Sequence, residues 1–407
     1  MLQALATPDI VEPTLTRLPP EVEALRDTVR EFAVTHVRPR ALINDQAPAA
    51  DFDWDLVRAG HDAGLLRLVI PKAYGGLGLG ELGVAVALEE IAAECAGTAL
   101  IFGAAMLGQA PILLSADPQL QARFLPLFSG DEPVLACNAI TEAQNGCDLL
   151  IPESAEFARD VLVARRDGDH YVLNGSKKFI TNGKVAHYAT VFGNIEGEPG
   201  ATGLTCFVVP LDSPGVVRGD VADKMGYRAC LGTDLHFTDV RVPEENVIGG
   251  EGAGFYINIA QMNMARAAVA AISTGIARGA FQIAKQWCED RIQGGKKLYE
   301  HQFSARKLAE MSAKIDASRL LYLKAAYLAD NQLPAPVYDP AIAKLFADRA
   351  AIEVAEDAVS LMGPRGYVRE YRLEKFLRDA FGTRIYEGTP EVLALAITKS
   401  LYDVEEW

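Results

Sequence analysis

A carboxylate lies just ahead of a predicted helix near the end of the chain, in segment 385–391 (IYEGTPE). Thr389 is a preferred residue at a helix N-cap, and Pro390 suits the first helical turn. Glu387 and Gly388 would then lie beside free N–H groups at the positive end of a helix, where a developing negative charge is stabilised. Glu387 therefore either complements the helix dipole or serves as a base whose pKa rises when a substrate excludes water.

A second candidate, segment 141–148 (TEAQNGCD), directly follows the strand-like run Val134–Ile140. Its small and hydroxyl residues let backbone N–H groups approach an anionic or heteroaromatic cofactor, although the same residues also form ordinary turns. Segment 78–83 (GLGELG) matches the GxGxxG dinucleotide fingerprint, but its flanks are helical and no acidic residue lies between Cys95 and Asp117. The fingerprint needs a preceding strand and a later acid, so we expect a structural glycine loop between helices.

The cysteines and histidines indicate neither a disulfide framework nor a metal site. The six cysteines form no CxxC pair, and the six histidines fall at no metal-ligand spacing. This pattern favours reduced thiols in a reducing compartment. The first sixteen residues contain no Lys or Arg, unlike a secretory or transit peptide, and runs such as Ala99–Leu107 are shorter than the roughly 18 residues of a membrane helix. We therefore expect a cytoplasmic protein with no metal and no membrane span.

The composition excludes two classes of partner. The 407 residues include 39 Lys and Arg against 54 Asp and Glu, a net charge of −15, and 50% are hydrophobic. An acidic surface disfavours nucleic acid and anionic membranes, which need clustered basic residues. The length suits two or three folded domains.

The spacing of apolar residues predicts the helices and strands that position the two candidate segments, 141–148 and 385–391. Residues Pro19–Gly130 repeat apolar positions at helical spacing, whereas the middle of the chain has short strand-like runs separated by Asp167-Gly168 and Asn174-Gly175, which suit tight turns. Helical spacing returns after Gly252 and includes a closing helix from Pro390. The pattern predicts an α+β fold with an N-terminal α-helical domain at 1–133, a middle antiparallel β-sandwich or barrel domain at 134–247, and a C-terminal α-helical bundle at 248–407.

Several segments, in this order, resemble the flavin-dependent acyl-CoA dehydrogenase family over nearly the whole chain. They are 71–78 (PKAYGGLG), 141–148, 175–183 (GSKKFITNG), 224–226 (KMG), 237–240 (FTDV) with 242–243 (VP), Arg291, Gly295 and Gln302 with 308–311 (LAEM), 378–380 (RDA) and 385–389. The resemblance implies FAD as cofactor and α,β-dehydrogenation of an acyl-CoA thioester to the trans-2-enoyl-CoA.

The resemblance also implies roles for individual residues. Glu387 would remove the α-proton while flavin N5 takes the β-hydride, and Arg266 would bind the CoA portion. Arg291 and Gln302 would reach FAD of a neighbouring subunit, which implies a homotetramer. The implied cofactor-binding residues are Asn138, Ile140, Thr141, Gly146, Cys147, Phe179, Thr181, Arg291, Gln302, Ser360, Gly363, Pro364, Thr389 and Glu391. The implied substrate-binding residues are Cys147, Asn263, Arg266, Tyr386 and Gly388.

Some positions depart from the family pattern. Cys147 stands where a serine is usual, Asn263 where an acid is common, and Ser360 and Pro364 replace a glutamine and a glycine.

The same site would also suit an oxidase or a decarboxylating variant, and the same fold would also suit a non-catalytic partner subunit. Electrons would pass to an electron-transfer flavoprotein or a similar acceptor. Because no Arg or Lys lies between Ile91 and Gln109, an uncharged acyl chain is favoured.

Overall fold

The computed structural model describes residues 17–46, 52–158 and 161–404, so the first sixteen residues, used above to predict targeting, lie outside the described part. The first section of the chain is helical, as predicted. Its helices are α1 (Pro20–Phe32), α2 (Arg38–Gln46), α3 (Trp54–Asp62), α4 (Gly80–Ala92), α5 (Ala96–Leu114) and α6 (Pro118–Phe124). In α1 the residues at three- and four-residue spacing, Val22, Leu25, Val29 and Phe32, form the buried face.

The glycine loop before α4 has the structural role predicted for it. Helical turns rather than a strand precede it, so the dinucleotide fingerprint lacks its required context. Gly80 has φ of 63°, and a Cβ there would lie 2.4 Å from Asp330 Oδ1. Only glycine fits this close approach, which lets Asp330 accept hydrogen bonds from the N–H groups of Glu81 (2.7 Å) and Leu82 (3.0 Å).

The middle section forms an eight-stranded sheet in the order β6-β7-β3-β2-β4-β5-β8, with β1 beside β4. The strands are β1 (Ala136–Ala139), β2 (Val163–Asp167), β3 (His170–Thr181), β4 (Tyr188–Ile195), β5 (Leu204–Pro210), β6 (Val216–Val221), β7 (Gly232–Pro243) and β8 (Val247–Ile248), with a short helix, α7 (Pro152–Ala155), between β1 and β2. The predicted tight turn at Asp167-Gly168 is confirmed, because Asp167 pairs with His170 and Gly168 has φ of 66°.

Two predictions about this sheet are wrong. The strands are not all antiparallel, since β4 pairs in parallel with both β1 and β2; long connections let the chain re-enter the sheet in the same direction, which local turn signals do not reveal. Asn174-Gly175 is not a hairpin turn, because β3 runs through it with a register shift. Gly175 has φ of 142°, and a Cβ there would lie 2.8 Å from Leu162 Cα, so the glycine serves a close crossing.

The last section is helical again. Its elements are α8 (Gly254–Asp290), a small hairpin of β9 (Ile292–Gln293) and β10 (Lys296–Lys297), α9 (Gln302–Asn331), α10 (Tyr338–Met362), α11 (Leu373–Thr383) and α12 (Pro390–Tyr402). The predicted start of the closing helix at Pro390 is confirmed. Helix α8 packs against α4, α9 and α10 and so joins the two helical sections. The domain limits at 133 and 247 stay a prediction.

Two helices, α5 and α8, are long and apolar enough to cross a membrane, contrary to the expectation from shorter runs such as Ala99–Leu107. Within the protein, however, 67% of the most apolar window of α5 and 78% of that of α8 are buried. Core helices of globular proteins pass the same test of length and composition, so these helices are weak evidence for a membrane span.

Candidate active site

Glu387 lies in the loop between α11 and α12 in an unusual backbone conformation. Its φ is 55°, and Gly388 follows with φ of 101°. Such values cost energy in a non-glycine residue and often occur at functional sites. The residue keeps some exposure, but its Oε2 is buried without a hydrogen-bond partner in the described part of the chain. Buried polar atoms are nearly always paired, so this oxygen is available to a ligand.

The surroundings bring the pKa of Glu387 close to neutrality. Burial raises the pKa to about 7, while the cations of Lys344 and Arg266 oppose this and the charge of Asp348 adds to it. A carboxylate titrating near the working pH can accept a proton and later release it. This is the behaviour expected of a general base.

Glu387 lines a cavity of about 220 Å³ between α4, α5 and α8. Most of its wall is apolar, formed by Val69, Val84, Leu88, Leu100, Met106, Leu107, Ala110, Leu113, Met264, Ala265, Ala268, Val269 and Ile272. Polar side chains enter from Glu81, Gln261, Asp330 and Glu387. Such a pocket suits a hydrocarbon group placed against a few polar atoms.

Arg266 connects α8 to the Glu387 loop. Its Nε donates to the backbone oxygen of Glu387 at 3.3 Å, and its Nη1 donates to Asn263 Oδ1 at 3.2 Å. The side chain is buried, and burial lowers the pKa of Arg266. The structure thus brings Asn263, Arg266, Glu387 and Gly388 together, as predicted, while their contact with CoA stays a prediction.

Beneath the same loop lies a buried cation that the sequence prediction missed. Lys344 Nζ donates to the backbone oxygens of Thr383 (2.8 Å) and Gly388 (3.0 Å) and to Asp348 Oδ2 (2.8 Å). Ser273 Oγ donates to the other oxygen of Asp348 at 2.8 Å. A Lys and an Asp four residues apart within an Ala-rich helix was the available signal, since charges on a buried helix face are rare unless paired.

The two residues that flank Glu387 and Gly388 differ in the contacts of their side chains. Thr389 occupies the N-cap position of α12, as predicted, although its side chain makes no capping hydrogen bond. Tyr386 packs edge-on against Tyr227, with ring centroids 5.9 Å apart and hydroxyls 3.3 Å apart. This contact attaches the loop to the sheet section.

Segment 141–148 is held by a buried ion pair that was also missed. Glu142 and Lys177 are paired with side chains each 1% exposed. Glu142 accepts from Leu162 N at 2.8 Å and from Asn145 Nδ2 at 2.6 Å, and Lys177 Nζ donates to Ile140 O at 3.0 Å. The end of β1 is therefore fixed rigidly where the cofactor is predicted.

Near this segment, the side chains present fit a flat heteroaromatic cofactor. Phe179 has φ of 57° and is 71% exposed. The hydroxyls of Thr141 and Thr181 form no hydrogen bond with other residues in the described ranges. An exposed ring beside unused hydroxyls offers both a stacking face and polar contacts to an isoalloxazine.

Five other predicted cofactor residues form a second group at the ends of the C-terminal helices. Arg291 ends α8, Gln302 begins α9, and Ser360, Gly363 and Pro364 lie at the end of α10. Within residues 17–46, 52–158 and 161–404, no hydrogen bond or ion pair connects this group with Thr141 or Thr181. One chain thus carries two sets of predicted FAD contacts, one around β1 and β3 and one at these helix ends. The described residues contain no cluster of His, Cys, Asp and Glu that could hold a metal.

Three family models match successive parts of the chain. Residues 19–131 match the N-terminal domain of acyl-CoA dehydrogenase, residues 137–240 its middle domain and residues 252–402 its C-terminal domain. The chain therefore belongs to the acyl-CoA dehydrogenase family. It is an FAD-dependent oxidoreductase that converts acyl-CoA to enoyl-CoA, which confirms the predicted class of enzyme, the cofactor and the fold.

Individual relatives cover almost the whole chain. Cyclohex-1-ene-1-carbonyl-CoA dehydrogenase of Geobacter metallireducens is 37% identical over 95% of this chain and 99% of its own length. The structure of butyryl-CoA dehydrogenase from Megasphaera elsdenii has a TM-score of 0.88 and 32% identity, covering 95% of this chain and 99% of that one. A chain from a structure of the electron transferring flavoprotein of Acidaminococcus fermentans has a TM-score of 0.87 and 32% identity. The match covers 94% of this chain and 98% of that one.

Proposed function

We propose that Glu387 is the base that removes the α-proton of an acyl-CoA thioester, giving the trans-2-enoyl-CoA. The observation that carries this proposal is Oε2 of Glu387, which is buried in a largely apolar cavity and has no hydrogen-bond partner among the described residues. A pKa of about 7 lets the carboxylate be ionised before the reaction and protonated after it. Bound FAD supplies the acceptor, at flavin N5, for the β-hydride.

The backbone of the same residue provides a second contribution. The N–H of Glu387 donates no hydrogen bond to other described residues. It is free to donate to the thioester carbonyl oxygen, which makes the α-proton more acidic. A preorganised donor of this kind contributes about 3 kcal/mol to transition-state stabilisation.

Two buried cations hold this backbone in position. Arg266 binds the carbonyl oxygen of Glu387, and Lys344 binds that of Gly388. Together they fix two successive residues with positive φ, so the strained loop keeps its shape before the substrate arrives. Arg266 and Lys344 are therefore positioning residues in this proposal.

The proposal includes a homotetramer in which FAD lies between subunits. The two separate groups of cofactor residues support it, because Arg291 and Gln302 of one subunit would complete the site at Thr141 and Thr181 of another. The likeness to a chain from a structure of an electron transferring flavoprotein supports that class of protein as the electron acceptor. Six unpaired cysteines, five of them buried, support a cytoplasmic location.

Anaerobic flavin reduction tests the proposed base. The FAD-loaded protein is expected to be yellow and to bleach with a suitable acyl-CoA. Glu387→Gln should keep the colour and the binding of acyl-CoA but lose about 10³-fold or more in the rate of bleaching. The matched control is Glu356→Gln, which changes an exposed glutamate on α10 and should bleach normally.

Bleaching of Glu387→Gln at the wild-type rate would place the base elsewhere. Formation of hydrogen peroxide at the turnover rate in air would identify an oxidase instead. Release of carbon dioxide from the acyl group would identify the decarboxylating variant.

A further inference from the structure

We propose that Glu81 makes the enzyme select acyl groups that carry an uncharged hydroxyl or carbonyl oxygen. This inference rests on the proposed function, because it places the acyl group in the cavity beside Glu387. Glu81 lies in the first turn of α4, is 8% exposed and lines that cavity. It would contact the acyl group and would determine specificity.

The carboxyl group of Glu81 has no structural task that the contacts reveal. It forms no hydrogen bond or ion pair with other residues in the described ranges. The free N–H groups at the start of α4 are already satisfied by Asp330, which accepts from Glu81 N and Leu82 N. Glu81 is more than nine-tenths buried and lines the cavity without a partner among the described residues, so its carboxyl group is available to a ligand.

The charges around Glu81 indicate what that ligand offers. Burial raises the pKa of Glu81 to about 8, and the negative charges of Asp330 and Glu387 add to this. Below that pH the neutral form of the carboxyl group predominates, and it provides one O–H donor and one carbonyl acceptor. An anionic acyl group would meet three carboxyl groups here, whereas a hydroxyl or carbonyl oxygen can pair with a neutral one.

The rest of the cavity limits the size and shape of the acyl group. Leu88, Leu107 and Leu113 belong to the apolar wall, and the volume is about 220 Å³. A short or cyclic carbon skeleton fits this space, with one oxygen placed at Glu81. A purely hydrocarbon group would leave the buried carboxyl unpaired, which lowers its affinity relative to an oxygenated group.

The test compares thioesters that differ by one hydroxyl group: butanoyl-CoA with 4-hydroxybutanoyl-CoA, and cyclohexanecarbonyl-CoA with 4-hydroxycyclohexanecarbonyl-CoA. The measured quantity is the ratio of kcat/KM within each pair for the FAD-loaded enzyme. The wild type should favour the hydroxylated member of at least one pair by about tenfold or more. Glu81→Leu should reverse this preference, and Glu81→Gln should keep it.

Leu113→Met is the matched control, since it changes the apolar wall and should affect both members of a pair alike. Glu81→Ala gives a second readout if Glu81→Leu does not fold. The inference is overturned if the wild type favours the plain acyl group in both pairs, or if removal of the Glu81 carboxyl leaves the ratios unchanged. The inference would also be overturned if the wild type preferred thioesters that carry an amino group in place of the hydroxyl group.

Failure of the proposed function would look different. In that case an acyl-CoA would still bleach the flavin of Glu387→Gln, or no acyl-CoA would bleach the flavin of the wild type. The Glu81 comparison remains readable then, because dissociation constants from the change in the flavin spectrum give the same ratios within each pair.

Discussion

Two glutamates on the same helix, Glu81 and Glu89 of α4, are both buried but have opposite surroundings. Glu89 is 3% exposed, accepts hydrogen bonds from Arg319 and Tyr322, and pairs with Arg278 at 2.8 Å. Although burial raises its pKa, these partners together hold the pKa of Glu89 below its usual value. Glu81 has a raised pKa and, in the part of the chain that the structure describes, no hydrogen-bond or ion-pair partner. Burial is nearly equal at the two positions, so partners among the described residues account for the opposite shifts in pKa.

By the same criterion Glu387 belongs with Glu81. Its Oε2 is buried and unpaired within residues 17–46, 52–158 and 161–404, and its pKa is also raised. Glu89 instead connects α4 to α8 and α9 through its two arginine partners. One end of α4 therefore borders the reaction cavity, and the other end holds the helices together.

The largest expected difference is in stability. Glu89→Gln should lower the free energy of unfolding by about 2 kcal/mol, because it removes the carboxylate charge that accepts from Arg319 and Tyr322 and pairs with Arg278. Glu81→Gln, the matched change on the same helix, should not lower it at pH 6, because the raised pKa of Glu81 already makes ionisation of the buried carboxyl group unfavourable there. Urea unfolding monitored by circular dichroism measures both values. Equal losses in the two variants would contradict the distinction between them.

The two glutamates should also respond to pH in opposite directions. Because the folded pKa of Glu89 is lowered, its contribution to stability is present above the unfolded pKa of about 4.5 and is lost as pH falls. Because the folded pKa of Glu81 is raised to about 8, the wild type should lose stability as pH rises from about 4.5 to 8. Glu81→Gln should therefore be more stable than the wild type at pH 9.

A smaller effect is expected in the pH dependence of catalysis. Glu387 must be ionised to act as a base, and its pKa is about 7. Below that pH, kcat/KM should fall about tenfold for each pH unit. Initial rates at saturating electron acceptor between pH 5 and 9 measure this. A profile that stays flat down to pH 5 would show that no group with a pKa near 7 must be ionised.

The smallest expected effect is a shift of that profile by the charges beneath the loop. Lys344 lowers the pKa of Glu387 and Asp348 raises it. Lys344→Met should therefore move the midpoint of kcat/KM to higher pH, and Asp348→Asn should move it to lower pH. Each variant is the control for the other, since both disturb the same buried pair. Shifts in the same direction would indicate general damage to the site instead.

The fold and one half of the site could be predicted from the sequence because their signals are local. The helix at Pro390, the face of α1 and the segment around Glu387 are each contained in a few neighbouring residues. The parallel pairing of β1 with β4 depends on connections that local turn signals do not describe. Glu81 and Asp330 meet across 249 positions of the chain, and nothing near either residue indicates the other.

The missed cations have a similar explanation. Lys344 and Lys177 look like surface residues in the sequence, since lysine is rarely buried. Only the packed structure shows that each is enclosed and bonded to backbone carbonyl oxygens, Gly388 and Ile140 respectively. Positioning groups of this kind follow from tertiary packing and leave at most a weak pattern, such as a charged pair at helical spacing.

Exchange of the α-hydrogen of a bound acyl-CoA with deuterium oxide tests the central claim most directly, because it follows the proton step without the hydride step. In the absence of an electron acceptor, the FAD-loaded wild type should incorporate deuterium at the α-carbon of butanoyl-CoA, as measured by mass spectrometry. Glu387→Gln should bind the thioester and incorporate none above the uncatalysed rate. Incorporation by Glu387→Gln at the wild-type rate would contradict the assignment of Glu387 as the base.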